Sequence, residues 1–316
     1  MANLPTKIVI TLSSILQAAR PVHWIKNLAL FAALIFTGGL YNEALLVKVI
    51  WAIVTFNLVT SASYIFNDVL DAKRDSLHPI KKYRPIASGK LSPSLALTVA
   101  LTLAIVALAL AKGLNPLFFL VVVGYLTLQI FYSLGLKNLA IIDILVIAAG
   151  FIIRVYAGAF VIDAHLSVWF LLCVISVALF LAAGKRRAEL NLLPSGITRK
   201  SLTNYKRELL NSYVTMFGNA AWMSWALFTF FESPRASLPV WLFLAELSRA
   251  TTVNKLLMVT IPVTIFGIMR YESLIFEGRS EAPEKLLLTD VALISSVVLW
   301  LGLVVWILYG GVASYI

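Results

Sequence analysis

The densest group of reactive side chains lies at Asn67-Asp68-Val69-Leu70-Asp71-Ala72-Lys73-Arg74-Asp75, an NDxxDxxxD pattern. On a helix turning about 100° per residue, with Asn67 at 0°, Asp71 falls at about 40°, Asp75 at about 80° and Asp68 at about 100°. Three carboxylates on one face repel one another unless a cation neutralises them. Mg²⁺ takes oxygen ligands, keeps several waters and is usually shared with substrate phosphates. The face therefore reads as a shelf for a Mg²⁺–diphosphate, with Asn67, Asp68, Asp71 and Asp75 as metal ligands and the three aspartates nearest the chemistry. The loop that follows, His78 to Lys90, has two prolines and a glycine that stop the helix. Arg74, Lys81, Lys82 and Arg84 flank the shelf; Arg grips phosphate bidentately and Lys binds it as a point charge.

A second polar group, Gly184-Lys185-Arg186-Arg187-Ala188-Glu189-Leu190, is basic with one carboxylate. On a continuing helix Lys185, Glu189 and Arg186 share an arc of about 100°. Lys185 and Arg186 could hold phosphate there. Glu189 could serve as a metal ligand, a hydroxyl acceptor or a partner for Lys185. Farther on, Arg199, Lys200, Tyr205, Lys206 and Arg207 could close over the site. Weaker signals come from Arg20, Trp24, Lys26 and Asn27, and from Tyr132, Ser133, Lys137, Asp143 and Arg154. Asp143 and Arg154 stand eleven residues apart, about three turns, so both can face a bundle interior. A structural interhelical pair suits them as well as a substrate contact.

These groups are carried by a very apolar chain. Its 316 residues are 60% hydrophobic and only 13% charged, which points to a membrane protein rather than a large soluble core. The formal charge of +11 resides mostly in short loops between apolar runs, so it reads as topology signal and anionic ligands, not nucleic-acid binding. Nine spans are expected, at about 25–41, 44–66, 94–112, 115–134, 139–162, 167–184, 209–232, 252–270 and 287–309. Residues 1–24 form an amphipathic N-terminal segment before them. The polar loops 67–93, 185–208 and 271–286 belong to one membrane domain, residues 1–316. Of the 26 Lys and Arg residues, twenty fall on one side and five on the other, with Arg154 inside a span. The positive-inside rule then predicts a multi-pass protein of the plasma (inner) membrane, N-terminus and polar loops cytoplasmic, C-terminus outside. No cleavable signal peptide is expected. Cys173, alone in an apolar run, reads as a core residue. Pro262 is expected to kink the eighth span. Gly38 and Gly39 do not make a dimer motif, so the oligomeric state stays open.

The NDxxDxxxD pattern at the end of the second span, the RPIASG loop (84–89), the Tyr132-Ser133 pair and the charged loop after the sixth span together resemble the UbiA-type intramembrane prenyltransferase superfamily. That resemblance covers essentially the whole chain. It implies an all-α bundle of nine transmembrane helices around a central cavity open to lipid, with a polar cytoplasmic cap. It also implies Asn67, Asp68, Asp71 and Asp75 as the first Asp-rich motif. Ordinary members carry a second Asp-rich motif after the sixth span, where this chain has GKRRAEL. The runs DxxxDxxHPxKxxRPIAxG (71–89), GKRxxEL (184–190), RKSLxxY (199–205) and PExLLLxD (283–290) resemble the decaprenyl-phosphate phosphoribosyltransferase branch.

The branch implies 5-phosphoribosyl 1-diphosphate as donor, a polyprenyl phosphate as acceptor, Mg²⁺ as cofactor and a place in cell-envelope arabinose supply. On that footing Lys81 and Arg84 assist at the diphosphate. Lys185 and Arg186 hold the 5-phosphate or orient the acceptor phosphate, Arg20 and Lys26 guide the lipid phosphate, and Glu189 could hold a ribose hydroxyl. Arg74, Tyr132, Lys137, Arg154 and Tyr205 complete the expected substrate-binding set. Two rival readings stand beside this one. An ordinary prenyltransferase would share the first motif and the Mg²⁺. A secondary transporter would place its polar site near the membrane midplane rather than at one edge.

Overall fold

The computed structural model describes residues 4–192, 202, 204–232, 253–277, 286 and 288–311. Every regular element among them is helical. In chain order these are α1 (Leu4–Ala19), a 3₁₀ segment (Pro21–Leu30) running into α2 (Phe31–Phe36), α3 (Glu43–Asp75), α4 (Pro93–Leu114), α5 (Pro116–Leu134), α6 (Ile142–Val161), α7 (Val168–Leu192), α8 (Arg207–Phe231), a 3₁₀ segment (Val253–Thr260) running into α9 (Ile261–Phe276), and α10 (Val291–Tyr309). Seven helical segments are long and apolar enough to cross a membrane. The protein is an integral membrane protein.

The helix ends are set by side chains suited to them. Asn42, Ser92, Asn115 and Asp290 accept backbone N–H bonds at the starts of α3, α4, α5 and α10, and Pro93 and Pro116 occupy first-turn positions where no donor is needed. At about 1.5 Å per residue, the 33 residues of α3 span about 50 Å, against an apolar bilayer core of about 30 Å. The helix therefore carries Asn67–Asp75 out past the apolar zone.

Two expected spans take a different form. The first, 25–41, is not a continuous α-helix but the 3₁₀ segment followed by six α residues. The 3₁₀ rise is about 2.0 Å per residue, so these sixteen residues cover about 29 Å. Packing selects this form: a Cβ on Gly158 of α6 would stand 2.0 Å from the Leu30 carbonyl oxygen, so the two backbones touch. The segment starts where Arg20 takes a left-handed turn (φ 56°) before Pro21. The eighth span, 252–270, is likewise split. Pro262 lies in the first turn of α9, where it helps to start the helix instead of kinking it. The seventh, 209–232, forms α8 but is not among the seven apolar segments, because Asn211, Ser212, Thr215, Asn219 and Ser224 dilute it.

The bundle closes between α2 and α10, where the Tyr309 hydroxyl donates to the carbonyls of Ile35 (2.6 Å) and Leu34. An aromatic core of Phe36, Phe170, Trp225 and Phe228 lies beside that closure. Helix α1 occupies the expected amphipathic segment, exposing Val9, Leu12 and Leu16 while burying Ala18 and Ala19. It is tied to α3 through Trp24, whose indole N–H donates to Ser61, which donates in turn to the Ala19 carbonyl.

Candidate active site

The last turns of α3 present Asn67, Asp68, Asp71 and Asp75 together, with the three aspartates only 2–7% exposed. Each carboxylate is met by a cation. The Asp68 carboxylate takes Arg20 at 2.6 Å and Arg84 at 3.1 Å, and Arg84 also reaches Asp75 at 2.6 Å. Asp71 takes Arg74 at 2.9 Å and Lys137 at 2.8 Å. Asn67 completes the shelf by donating to Asp71 and accepting from Lys137 at 2.9 Å. Lys137 arrives from the short 3₁₀ turn Leu136–Asn138 between α5 and α6. Arg84 is held by its loop, where the Ser88 N–H bonds to the Arg84 carbonyl, Leu91 N–H bonds to Pro85, and Gly89 supplies a φ of +77°. Lys81 lies in that loop on the 3₁₀ turn Lys81–Tyr83.

Among the described residues no three His, Cys, Asp or Glu side chains gather closely enough to hold one ion. Asp68 and Asp75 are seven residues apart, which spreads the shelf along about 10 Å of helix, and the gaps are filled by guanidinium and ammonium groups. The donor set nonetheless fits Mg²⁺ shared with a diphosphate. Such an ion needs only one or two carboxylates, the rest coming from phosphate oxygens and water.

The second polar group is arranged otherwise than as an open basic wall. Helix α7 continues to Leu192, and Arg186 is completely buried within it. Its Nε pairs with Asp143 at 2.6 Å, one terminal nitrogen pairs with Glu189, and the other donates to the Tyr132 hydroxyl at 3.1 Å. Asp143, also fully buried, accepts the Tyr205 hydroxyl at 2.8 Å, and that hydroxyl accepts the Ile141 N–H. Ile141 is held at φ 70°, a costly conformation for a β-branched residue, maintained by its surroundings. Burial first, and the Asp143 carboxylate after it, push the Tyr205 phenol above its usual range, so it remains a neutral donor. Asp143 thus forms a structural interhelical pair, between α6 and α7. Asp143 belongs to Arg186, and Tyr205 is a buried post instead of a closing group. Arg199, Lys200 and residues 283–285 of the late motif lie outside the described residues, as does the 233–251 segment.

Arg154 stands in a separate network. Its Nε donates to Asn27 at 2.7 Å, Nη1 to the Gly150 carbonyl at 2.6 Å and Nη2 to the Tyr125 hydroxyl at 2.8 Å, while Asn27 also donates to Asn57 at 2.7 Å. Arg154 borders a cavity of about 100 Å³ together with Lys26, Tyr64, Gln129, Tyr132 and Lys185. Phe151 lines both this cavity and an apolar one of about 340 Å³ formed by α2, α6, α7, α8, α9 and α10. The shelf and the polar cavity adjoin: Arg20, paired with Asp68, lies over the ring of Tyr64, and Tyr132 joins the cavity to Arg186. The structure thus groups Arg20, Arg74, Arg84 and Lys137 at the shelf, Lys26, Tyr132, Arg154 and Lys185 at the cavity, and Arg186, Glu189 and Tyr205 in the buried network. Sequence reasoning passed over Tyr64, Tyr125, Gln129 and Asn57. Gln129 carried a usable signal, since an amide within an apolar span is costly unless it faces a polar cavity.

The chain matches the UbiA prenyltransferase family over residues 27–250. It is 36% identical over 297 residues to the decaprenyl-phosphate phosphoribosyltransferase of Mycolicibacterium smegmatis, covering 92% of this chain and 91% of that one. The Mycobacterium tuberculosis protein of the same name is 35% identical over 298 residues, covering 92% and 93%. Among solved structures, a UbiA homolog from Archaeoglobus fulgidus bound to GPP and Mg²⁺ shares the fold with a TM-score of 0.68 at 16% identity, over 95% of this chain and 98% of that one.

Proposed function

We propose that this chain, which belongs to the UbiA prenyltransferase family, transfers the 5-phosphoribosyl group of 5-phosphoribosyl 1-diphosphate to a polyprenyl phosphate, decaprenyl phosphate by analogy with its relatives. The products are polyprenylphosphoryl-5-phosphoribose and diphosphate, the former destined for cell-envelope arabinose synthesis. One observation favours this electrophile over a prenyl diphosphate. The second polar group contributes a single carboxylate, Glu189, and Arg186 already neutralises it. Only one acidic shelf is left to face a diphosphate.

In the reaction an oxygen of the acceptor phosphate attacks ribose C1. The C1–O bond to the diphosphate breaks, and its electron pair leaves with the diphosphate. Attack from the opposite face inverts the anomeric centre. The acceptor phosphate is already anionic near neutral pH, so no side chain has to remove a proton, and positioning supplies much of the rate. One or two of Asp68, Asp71 and Asp75 would hold each Mg²⁺, its other ligands being phosphate oxygens and water; when bound, the ion neutralises charge that develops on the leaving group. Arg20, Arg74 and Arg84, now paired with those carboxylates, can turn their donors to diphosphate oxygens. Lys137 keeps Asp71 and Asn67 in register. The buried Arg186–Asp143–Tyr205 network fixes Tyr132 at the cavity wall. In this reading the single membrane domain crosses the bilayer nine times, with shelf and N-terminus cytoplasmic and C-terminus outside.

The test is a transfer assay with the purified chain in detergent, given Mg²⁺, decaprenyl phosphate and radiolabelled 5-phosphoribosyl 1-diphosphate. Labelled lipid is expected, and it should vanish with EDTA and in the Asp71→Ala variant. A folded preparation that makes no labelled lipid, but condenses a prenyl diphosphate with an aromatic acceptor, would overturn the reading.

A further inference from the structure

Arg154 carries a structural anomaly that the transfer chemistry leaves unused. It is 5% exposed in the middle of α6, and the partners of its guanidinium are an amide, a backbone carbonyl and a phenol. The rings of Tyr125 and Phe151 lie near it at 5.1 and 5.7 Å. None of these carries a negative charge. A cation buried in a span without a counter-charge is costly, and such residues mark sites for ions or substrates. Neutral acceptors aim the group without balancing it. Three of its five N–H donors are engaged, which leaves one on each terminal nitrogen. Two N–H groups in a planar fork match two oxygens of a phosphate.

The surroundings agree with an anion. Lys26 and Lys185 line the same cavity, and no acidic residue lines it. Its volume of about 100 Å³ exceeds what several waters need, and so accommodates a phosphate. Two phosphates could come here, the lipid's own or the 5-phosphate of the sugar donor. Continuity separates them. Phe151, stacked near Arg154, also lines the wholly apolar cavity of about 340 Å³, and that cavity shares Val177, Leu181, Thr264 and Trp300 with a further apolar cavity of about 310 Å³ against α9 and α10. A phosphate on Arg154 that bears a long hydrocarbon tail has an apolar path leading away from it. A ribose does not.

Resting on the phosphoribosyl-transfer reading, we infer that Arg154 is the seat of the acceptor lipid's phosphate, with the first isoprene units passing Phe151. The donor's diphosphate stays at the α3 shelf, on the far side of Tyr64. The site selects a phosphorylated lipid over the free alcohol.

The test uses the full chain in lipid nanodiscs. Equilibrium binding of decaprenyl phosphate, decaprenol and ribose 5-phosphate is measured without donor, for the wild type and Arg154→Gln. Loss of a charge-assisted fork should weaken decaprenyl phosphate by about tenfold or more. Decaprenol binding should be unchanged and the wild type's preference for the phosphate abolished. In kinetics the KM for decaprenyl phosphate should rise while the KM for 5-phosphoribosyl 1-diphosphate holds. A rise in the donor KM, or loss of ribose 5-phosphate binding instead, would hand the pocket to the sugar and overturn the inference. Unchanged binding of all three would reduce Arg154 to a structural role. Should Arg154→Gln fail to fold, decaprenyl phosphate carrying a diazirine in its first isoprene unit decides on the wild type. Crosslinks at Phe151 and Val155 support the site, and crosslinks confined to other helices refute it. Arg154-dependent binding without any phosphoribosyl transfer would sink the proposed reaction while leaving the phosphate site standing.

Discussion

Asp143 and Arg186 are both fully buried and answer each other's charge at 2.6 Å. Removing Arg186 strands Asp143 in a low-dielectric interior, whereas removing Asp143 leaves Arg186 with Glu189. Arg186→Gln should cost about 3–5 kcal/mol of stability, Asp143→Asn less, and the double variant less than their sum; unfolding in mixed micelles measures all three. Additive losses would mean that the two charges do not interact. Tyr205 extends this pair to the backbone of Ile141, and it carries a pH signature. Its folded pKa is raised above the unfolded value of about 10, so its contribution is complete below that pH and is lost as pH rises beyond it. Between pH 9 and 11 the wild type should lose stability that Tyr205→Phe, already weaker, does not lose. Parallel pH curves for the two proteins would contradict this.

At the level of elements, the contact between α6 and the first 3₁₀ segment sets the site. Gly158 lets the Leu30 carbonyl approach to where a Cβ would be, and that approach brings Asn27 within 2.7 Å of Arg154. Gly158→Ala forces the two elements apart. Overpacking of this kind costs about 1–3 kcal/mol, and the shift should also reduce transfer by pulling Asn27 from Arg154. Thermal unfolding and the transfer assay read both effects; an Ala variant as stable and active as the parent would show that the segment slides freely. The shelf shows the converse case, in which a helix alone places the side chains. The NDxxDxxxD spacing put four groups on one face of α3, and they do share it. Arg74 reaches Asp71 from the next turn of α3, but the other cations on those carboxylates come from α1's end, the 78–90 loop and the α5–α6 turn. No local period marks such partners.

Across the whole molecule, the segregation of Lys and Arg gives the clearest prediction. In a Cys173→Ser background, Lys73→Cys should react with an impermeant maleimide only from the cytoplasmic side of inverted vesicles, and Lys112→Cys only from the opposite side. Labelling of both from one side would mean that α4 does not cross. The closure through Tyr309 and Ile35 joins α2 to α10 beside the apolar cavities, so those cavities are walled by elements distant in sequence.

The residues alone determined the membrane class, most helix positions and the acidic face of α3. These follow from hydropathy and from the fixed 3.6-residue turn, both local properties of a chain in lipid. The family motifs added the reaction. Tertiary structure decided the rest, because it depends on which helix faces which. It made 25–36 a 3₁₀-to-α segment through backbone contact with Gly158. It joined Asp143 to Arg186 across α6 and α7, and buried Arg186 completely. It also left Arg154 with neutral partners beside a cavity lined by Lys26 and Lys185. A charge's sign is written in the sequence, but whether that charge is balanced depends on neighbours that only folding supplies.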